Sequence, residues 1–224
     1  MNTAIIVAAG RGLRIGSDKP KQFLEIHGKP IIIHTLGRFD VCPDVDEIIL
    51  VLPENETEMF GEILERFSIK TVTKIIAGGK TRAESVRNGL KAANEMTEIV
   101  AVHDGARPLV SIIAISRTID AAKKSGAACL VAPVTDTIKE VLDENIVRTV
   151  DRTRLRRALT PQAFRVDILK KAFEDTDLSE SITDECYLVE KLGFPIACLE
   201  GSPLNIKVTH PEDLILAELF LKTG

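Results

Sequence analysis

The chain is short of most features that assign a protein at sight. No apolar run approaches the length needed to cross a bilayer, and the first residues pass within three positions into an apolar stretch, leaving no room for a leader segment. A cytoplasmic location is the expectation. Cys42, Cys129, Cys186 and Cys198 include no CxxC pair and no histidine at zinc-ligand spacing, which argues against a zinc module and predicts buried, reduced thiols. Positive charge is not in excess: 29 Lys and Arg stand against 33 Asp and Glu, a formal balance of −4. No global field therefore draws nucleic acid or an anionic membrane, and any anion must be held by local basic residues. Internal repeats, low-complexity tracts and linkers are missing as well. Neither standard phosphate motif fits, because Gly10, Gly12 and Gly16 miss the G-x-G-x-x-G spacing by one residue and no G-K-S/T ending follows.

What is there points to one unit. With 224 residues and 45% hydrophobic content, the chain can bury one sizeable core, so a single domain over 1–224 is expected. Short β-branched runs recur at Thr3 to Ala8, Glu47 to Leu52, Thr71 to Ile76, Glu98 to Val102 and Ala127 to Ala132. Runs this apolar are buried on both faces, as in a parallel sheet. Helical patterns alternate with them. Thr81 with Glu84 forms a capping box ahead of Ala83, Val86, Leu90 and Ala93 on one face; a second helix opens at Ser111 and ends near Gly126; a third starts from Thr209. The fold class expected is α/β, a doubly wound, mostly parallel, Rossmann-like sheet. One stretch breaks the rhythm. Over about 133–154 two alternating segments, Asp136 to Leu142 and Ile146 to Val150, meet at Asp143, Glu144 and Asn145 and predict a projecting β-hairpin arm. Such an arm either caps the sheet or pairs with a second subunit.

The first strand runs into Ala8, Ala9 and Gly10 and on to Arg11, Arg14, Lys19 and Lys21, opposed by the single acid Asp18. Small residues let a backbone approach a ligand, and successive amides with nearby cations form an anion site at the carboxyl edge of the sheet. The fourth strand ends on that edge with His103, Asp104, Gly105, Ala106, Arg107 and Pro108. Asp104 there suits a ribose, a metal or a substrate hydroxyl, or simply pairs with Arg107. Thr160-Pro161-Gln162 and Thr183-Asp184-Glu185 read as turn and helix-cap signals on the same side, with Thr183 as a cap. Lys207, just before the last helix, would add an ammonium to a helix N-terminus.

Read together, Ala8-Ala9-Gly10-x-Gly12-x-Arg14, Pro20-Lys21-Gln22, Gly78-Gly79-x-x-Arg82-x-x-Ser85-Val86, His103-Asp104-x-x-Arg107-Pro108, Thr149-Val150-Asp151-Arg152, Thr160-Pro161-Gln162, Thr183-Asp184-Glu185 and Asn205-Ile206-Lys207-Val208-Thr209 closely resemble the 2-C-methyl-D-erythritol 4-phosphate cytidylyltransferase family. The resemblance implies in-line attack of the substrate's phosphate oxygen on the α-phosphate of CTP, with Mg2+ carried by the triphosphate and Asp104 as a possible metal contact. It assigns Arg14 and Lys21 to the phosphates, and it implies that Ala8, Ala9, Gly10, Gly79, Lys80 and Ser85 read the nucleotide. Asp104 and Gly105 match positions touching ribose and substrate, Arg107 and Thr183 match substrate contacts, Thr160 is counted among the substrate-binding residues, and Lys207 matches the lysine holding the acceptor phosphate. It also implies a homodimer in which Thr137 and Arg152 of the arm enter the neighbouring subunit's site. Gly105, where alanine is usual, is expected to loosen the acceptor pocket slightly.

Three rivals stand beside this reading. A cytidylyltransferase for another polyol phosphate, such as ribitol 5-phosphate, shares the fold and several motifs, although the runs at 149–152 and 103–107 favour methylerythritol phosphate. A non-catalytic nucleotide-binding module would not need charge on both reacting phosphates, which Arg14, Lys21 and Lys207 supply. A dinucleotide-dependent oxidoreductase is opposed by the glycine spacing.

Overall fold

In the computed structural model, which describes residues 1–10, 20–178 and 182–223, the alternating pattern becomes a three-layer α/β fold. Strands β1 (Asn2–Val7), β4 (Glu47–Leu52), β5 (Val72–Ala77), β6 (Ile99–Asp104), β7 (Ala127–Pro133), β10 (Arg156–Arg165) and β11 (Ala197–Glu200) form a seven-stranded sheet in the order β11-β7-β10-β6-β1-β4-β5. A short pair, β2 (Glu25–Ile26) and β3 (Lys29–Pro30), and a separate ribbon, β8 (Ile138–Leu142) with β9 (Asn145–Val150), complete the strands. All neighbours in the large sheet are parallel except β10, which runs antiparallel to both β6 and β7.

The alternation of side chains along these strands feeds two apolar layers. Ala4, Ile6, Ile48, Leu50 and Ala101 pack against α1 (Ile31–Asp40), α2 (Phe60–Arg66) and α4 (Ile112–Ser125) through Leu36, Phe39, Phe60, Ile115 and Ile119. Ile5, Val51, Val100, Val102 and Phe164 point the other way, onto α3 (Arg82–Ala92), α5 (Val166–Glu174) and α6 (Glu185–Lys191), through Val86, Leu90, Leu169 and Leu188. A smaller cluster of Ile26, Ile31, Val208 and Ala217 seats α7 (Pro211–Thr223).

Local signals set the helix ends. The Thr81 hydroxyl accepts from the Glu84 amide while Glu84 reaches back to the Thr81 amide, the reciprocal cap expected. Ser111 caps α4, which ends on Gly126 at φ 86, a left-handed position. Elsewhere the structure corrects the sequence reading. Asp184, not Thr183, caps α6, because its carboxylate accepts from the Tyr187 amide. The last helix begins at Pro211, two residues later than expected, and Asp213 in its first turn accepts from the preceding Thr209 and His210 amides. Thr160, Pro161 and Gln162 lie within β10, where the register with β7 slips between Ala158 and Gln162, rather than in a turn. Asn145 belongs to β9, leaving Asp143 and Glu144, both at positive φ, as a two-residue hairpin turn. All four cysteines are free thiols, but Cys198 is exposed, on an edge strand paired with β7.

A candidate cytidylyl-transfer site

The chain goes from β1 through α1 to β4 on one side, then returns through α3 to β6 on the other side of β1. The crevice beyond the carboxyl ends of β1 and β6 is therefore the topological switch point, where open α/β sheets take ligands. Four strand ends meet there. The Gly105 amide donates to the Val7 carbonyl at 2.9 Å, the Ala8 amide to Val51 at 2.8 Å, and the Gly78 amide to Leu52 at 2.8 Å. A Cβ built on Gly78 would lie 2.4 Å from the Ala9 Cβ and 2.8 Å from the Ser85 Oγ, so only glycine lets the turn after β1 close against the start of α3. Ala8, Ala9, Gly79 and Ser85 are thereby brought to one place, with exposed Gly10 and Lys80 at its rim. The buried Ser85 hydroxyl is committed to this turn, accepting from the Gly79 amide at 3.0 Å and donating to the Thr81 carbonyl at 2.9 Å. It braces the turn between β5 and α3.

The other half of the crevice is built on Asp104. Its Oδ1 meets Arg82 Nε at 3.1 Å, and its Oδ2 meets both Arg107 Nε at 3.1 Å and Lys207 Nζ at 3.0 Å. Arg82 also donates through Nη1 to Glu185 Oε1 at 2.6 Å. Burial alone would push the Asp104 carboxyl up, but Arg82, Lys207 and Arg107 together outweigh it and hold the group well below the usual carboxylate range. For Glu185 burial prevails over the charge of Arg82, and the pKa is raised; its Oε2 is buried with no hydrogen bond among the described residues. Arg82, desolvated yet paired with Glu185 and Asp104, is fixed in the charged form. The cluster thus sets three cations, Arg82, Arg107 and Lys207, against two carboxylates, and Lys207 is the most open of the three at 35% exposure. A surplus cation at the mouth of a crevice suits an arriving phosphate.

A second layer fixes the loop itself. The Asp104 amide donates to the Thr160 hydroxyl at 3.1 Å, so that hydroxyl's own proton faces His103 Nδ1 at 2.9 Å. His103 then carries its proton on Nε2 and donates to the Arg107 carbonyl at 3.2 Å. Burial lowers the His103 pKa to about 3, despite the neighbouring Asp104 charge. Asn205 donates to the Thr160 carbonyl and accepts Arg107 Nη1 on its own carbonyl, both at 2.8 Å. Thr35 closes the set through the Gly105 carbonyl at 2.8 Å. Gly105 does not loosen this pocket as expected: an added Cβ would sit 2.7 Å from Ile32 Cδ1 and 2.9 Å from the Ala8 Cβ, so the space is already filled by Ile32.

Other sequence-nominated residues are placed differently. Arg14, with Arg11 and Lys19, lies outside the described residues. Lys21 opens a short 3-10 turn, Lys21–Phe23, at the foot of that segment, and only its backbone is described. Thr183 is exposed just before α6. Thr137 and Arg152 sit exposed at the base of the β8–β9 ribbon, where Arg152 hydrogen-bonds the Thr135 carbonyl, and neither bonds to the Asp104 cluster. Arg82, Glu185, His103 and Asn205 were not singled out as site residues by the sequence reading. A clue was present in the arginine three positions before Ser85 and in the acid directly after Asp184, but pairing across 103 positions leaves no periodic trace.

Metal binding can be tested against the donor set. Among the described residues no group of three or more His, Cys, Asp or Glu side chains is placed to hold an ion. Asp104 already faces three cations, an arrangement unsuited to a divalent metal, so the possible metal role for Asp104 is not supported.

Comparison with known proteins bears on the same chain length. The family model described as 2-C-methyl-D-erythritol 4-phosphate cytidylyltransferase matches residues 2–223. The enzyme of that name from Syntrophus aciditrophicus (strain SB) is 46% identical over 222 residues, covering 98% of this chain and 95% of that protein. The crystal structure of 4-diphosphocytidyl-2C-methyl-D-erythritol synthase from Anaerococcus prevotii DSM 20548 superposes with a TM-score of 0.86 at 31% identity, covering 99% of this chain and 96% of the other. For the Thermus thermophilus cytidylyltransferase the TM-score is 0.80 at 34% identity, over 99% of this chain and 100% of the other. A match this nearly end to end, in sequence and in backbone, means that the chain belongs to the 2-C-methyl-D-erythritol 4-phosphate cytidylyltransferase family.

Proposed function

We propose a division of labour for the family's reaction, cytidylyl transfer from CTP to 2-C-methyl-D-erythritol 4-phosphate, in which the two halves of the crevice hold the two anions. The surplus of cations around Asp104 is the observation that carries it. Lys207 and Arg107 take the acceptor phosphate, exchanging part of their contact with Asp104 for its oxygens. The turn formed by Ala8, Ala9 and Gly10, with Gly79, Lys80 and Ser85, takes the nucleotide, and Arg14 and Lys21 offset charge on its phosphates. An acceptor phosphate oxygen forms a bond to the α-phosphorus as the bond to the β-phosphate oxygen breaks, and pyrophosphate leaves with that electron pair. No protein nucleophile is needed, because catalysis here is positioning and charge compensation. Magnesium, expected on the triphosphate, would neutralise part of the leaving group's charge.

The β8–β9 ribbon completes the proposal. Its Val141, Leu142, Ile146 and Val147 are 57, 66, 66 and 55% exposed, and an isolated two-stranded hairpin is marginal in water. A second copy of the chain would cover these residues and receive Thr137 and Arg152 in its own acceptor pocket. The chain is taken to act as one domain and in the cytoplasm; no helix of the described residues is long and apolar enough to cross a membrane.

Pyrophosphate release tests the reading. With CTP and magnesium, fast release on adding 2-C-methyl-D-erythritol 4-phosphate but not ribitol 5-phosphate is expected. Preference for ribitol 5-phosphate would keep the chemistry and change the acceptor, and release with neither would return the chain to a binding module.

A further inference from the structure

Arg82 and Glu185 stand at the transfer site without a part in the division of labour proposed for it. Arg82 opens α3, directly after the turn that holds Gly79 and Lys80, and Glu185 opens α6, directly after its cap Asp184. Their contact, Arg82 Nη1 to Glu185 Oε1 at 2.6 Å, is largely shut from water, with the side chains 24% and 0% exposed. Glu185 Oε2 has no hydrogen bond among the described residues. Desolvating such a pair costs about what its attraction returns, and apolar side chains of similar volume often serve stability as well or better. Stability alone gives no reason for the pair. Its effect on Asp104 does.

Asp104 divides its two oxygens unequally. Arg82 Nε takes Oδ1 at 3.1 Å, while Arg107 Nε and Lys207 Nζ share Oδ2 at 3.1 and 3.0 Å. Glu185 keeps Arg82 in that pose by accepting from the other arm of its guanidinium. The pair is neutral in sum, so it adds geometry to the crevice rather than charge. With Oδ1 occupied, neither Arg107 nor Lys207 has an oxygen of its own, and Arg107 cannot close the two-bond fork that arginine makes with a free carboxylate. Two cations on one oxygen also repel each other, so either leaves it for a phosphate with less loss of attraction than from a dedicated partner. We propose that Arg82, held by Glu185, is a positioning residue of cytidylyl transfer: by occupying Asp104 Oδ1 it keeps Arg107 and Lys207 loosely held and ready for the acceptor phosphate. This role rests on Lys207 and Arg107 taking that phosphate.

Removing the pair whole tests it. Arg82→Met combined with Glu185→Leu keeps the bulk and the net charge, and frees Asp104 to give one oxygen to each remaining cation. In pyrophosphate-release kinetics the KM for 2-C-methyl-D-erythritol 4-phosphate should rise about tenfold, while CTP affinity, titrated without acceptor, stays within about twofold. A loosened start of α3 would instead disturb the nucleotide turn beside it and weaken CTP as well. A pure field effect would move neither, since net charge is constant. Glu185→Gln, which keeps an oxygen for Arg82 Nη1, should hold the acceptor KM within about threefold of wild type. If the double variant unfolds early in a thermal scan, Arg82→Lys decides the matter: its single ammonium cannot span both carboxylates, so the same acceptor-selective rise is expected. An unchanged acceptor KM, or a parallel loss of CTP affinity, would overturn the role of Arg82. The underlying assignment is checked apart from it, because Lys207→Ala should raise the acceptor KM, and a flat result there would sink the phosphate assignment whatever Arg82 does.

Discussion

The Asp104 cluster and the β8–β9 ribbon carry the two sets of residues proposed for the acceptor, and they are built in opposite ways. Around Asp104 the carboxylate is buried under three cations, the loop's amide and carbonyls are engaged by Thr160, His103 and Thr35, and Asn205 holds the Arg107 side chain. In the ribbon, exposed pairs such as Lys139 with Thr149 and Arg148 with Glu140 lie beside bare Val141 and Ile146. The first region is preorganised by a single chain. The second has a surface that a single chain leaves uncovered.

That contrast is most easily broken at Asp104. Asp104→Ala takes from Arg107, the most buried of the three cations, its carboxylate partner and leaves Arg82 with Glu185 alone, and removing one partner of a buried ion-pair network costs about 3–5 kcal/mol. Urea unfolding should show that loss. Ile146→Ser in the exposed ribbon should change the stability of the isolated chain by no more than ~0.5 kcal/mol. Comparable losses from the two substitutions would mean that the cluster is not the braced region described.

The histidine beneath the cluster offers a pH-resolved version. His103 stays neutral in the fold down to about 3, whereas an unfolded histidine takes its proton near 6.5. Between those values the unfolded chain binds one more proton, so stability rises with pH there and falls on acidification, by about 1.4 kcal/mol per pH unit. Above 6.5 the histidine contributes no slope. The difference between the wild-type chain and His103→Gln, measured by unfolding from about pH 7 to about pH 4, isolates this term from the carboxylates. A parallel pair of curves would show that His103 is already protonated in the fold or that its site is wet.

Much of the scaffold was legible because it depends on neighbours in sequence. The β-branched runs marked β1, β4, β5, β6 and β7, and Thr81, Ser111 and Gly126 fixed helix ends through contacts within a turn. The antiparallel β10 was not: it contains a proline, shifts register in mid-strand and reads as loop until β6 and β7 flank it. Ile31, Ile32 and Ile33 open a helix despite three β-branched side chains, since all three are buried and packing overrides propensity. The transfer site divides the same way. Ala8, Ala9 and the Asp104 loop lie at one sheet edge, as their places after two strands imply, but the Arg82–Glu185 pair and the His103 bridge exist only through long-range folding.

The ribbon's share in the site is the smallest effect and the most discriminating. Arg152→Ala removes one charged contact to the acceptor, worth about tenfold in KM for 2-C-methyl-D-erythritol 4-phosphate, with KM for CTP unchanged. That alone does not say which subunit supplies the arginine. Mixing does. If Arg152 serves the neighbouring pocket, a heterodimer of Arg152→Ala with Lys207→Ala places both lesions in one site and leaves the other intact, so mixed protein at low acceptor should exceed the activity of either parent. If Arg152 serves its own pocket, every site in the mixture carries one lesion and mixing gains nothing. Recovery therefore measures how far a pocket braced by one chain still depends on the exposed ribbon of another.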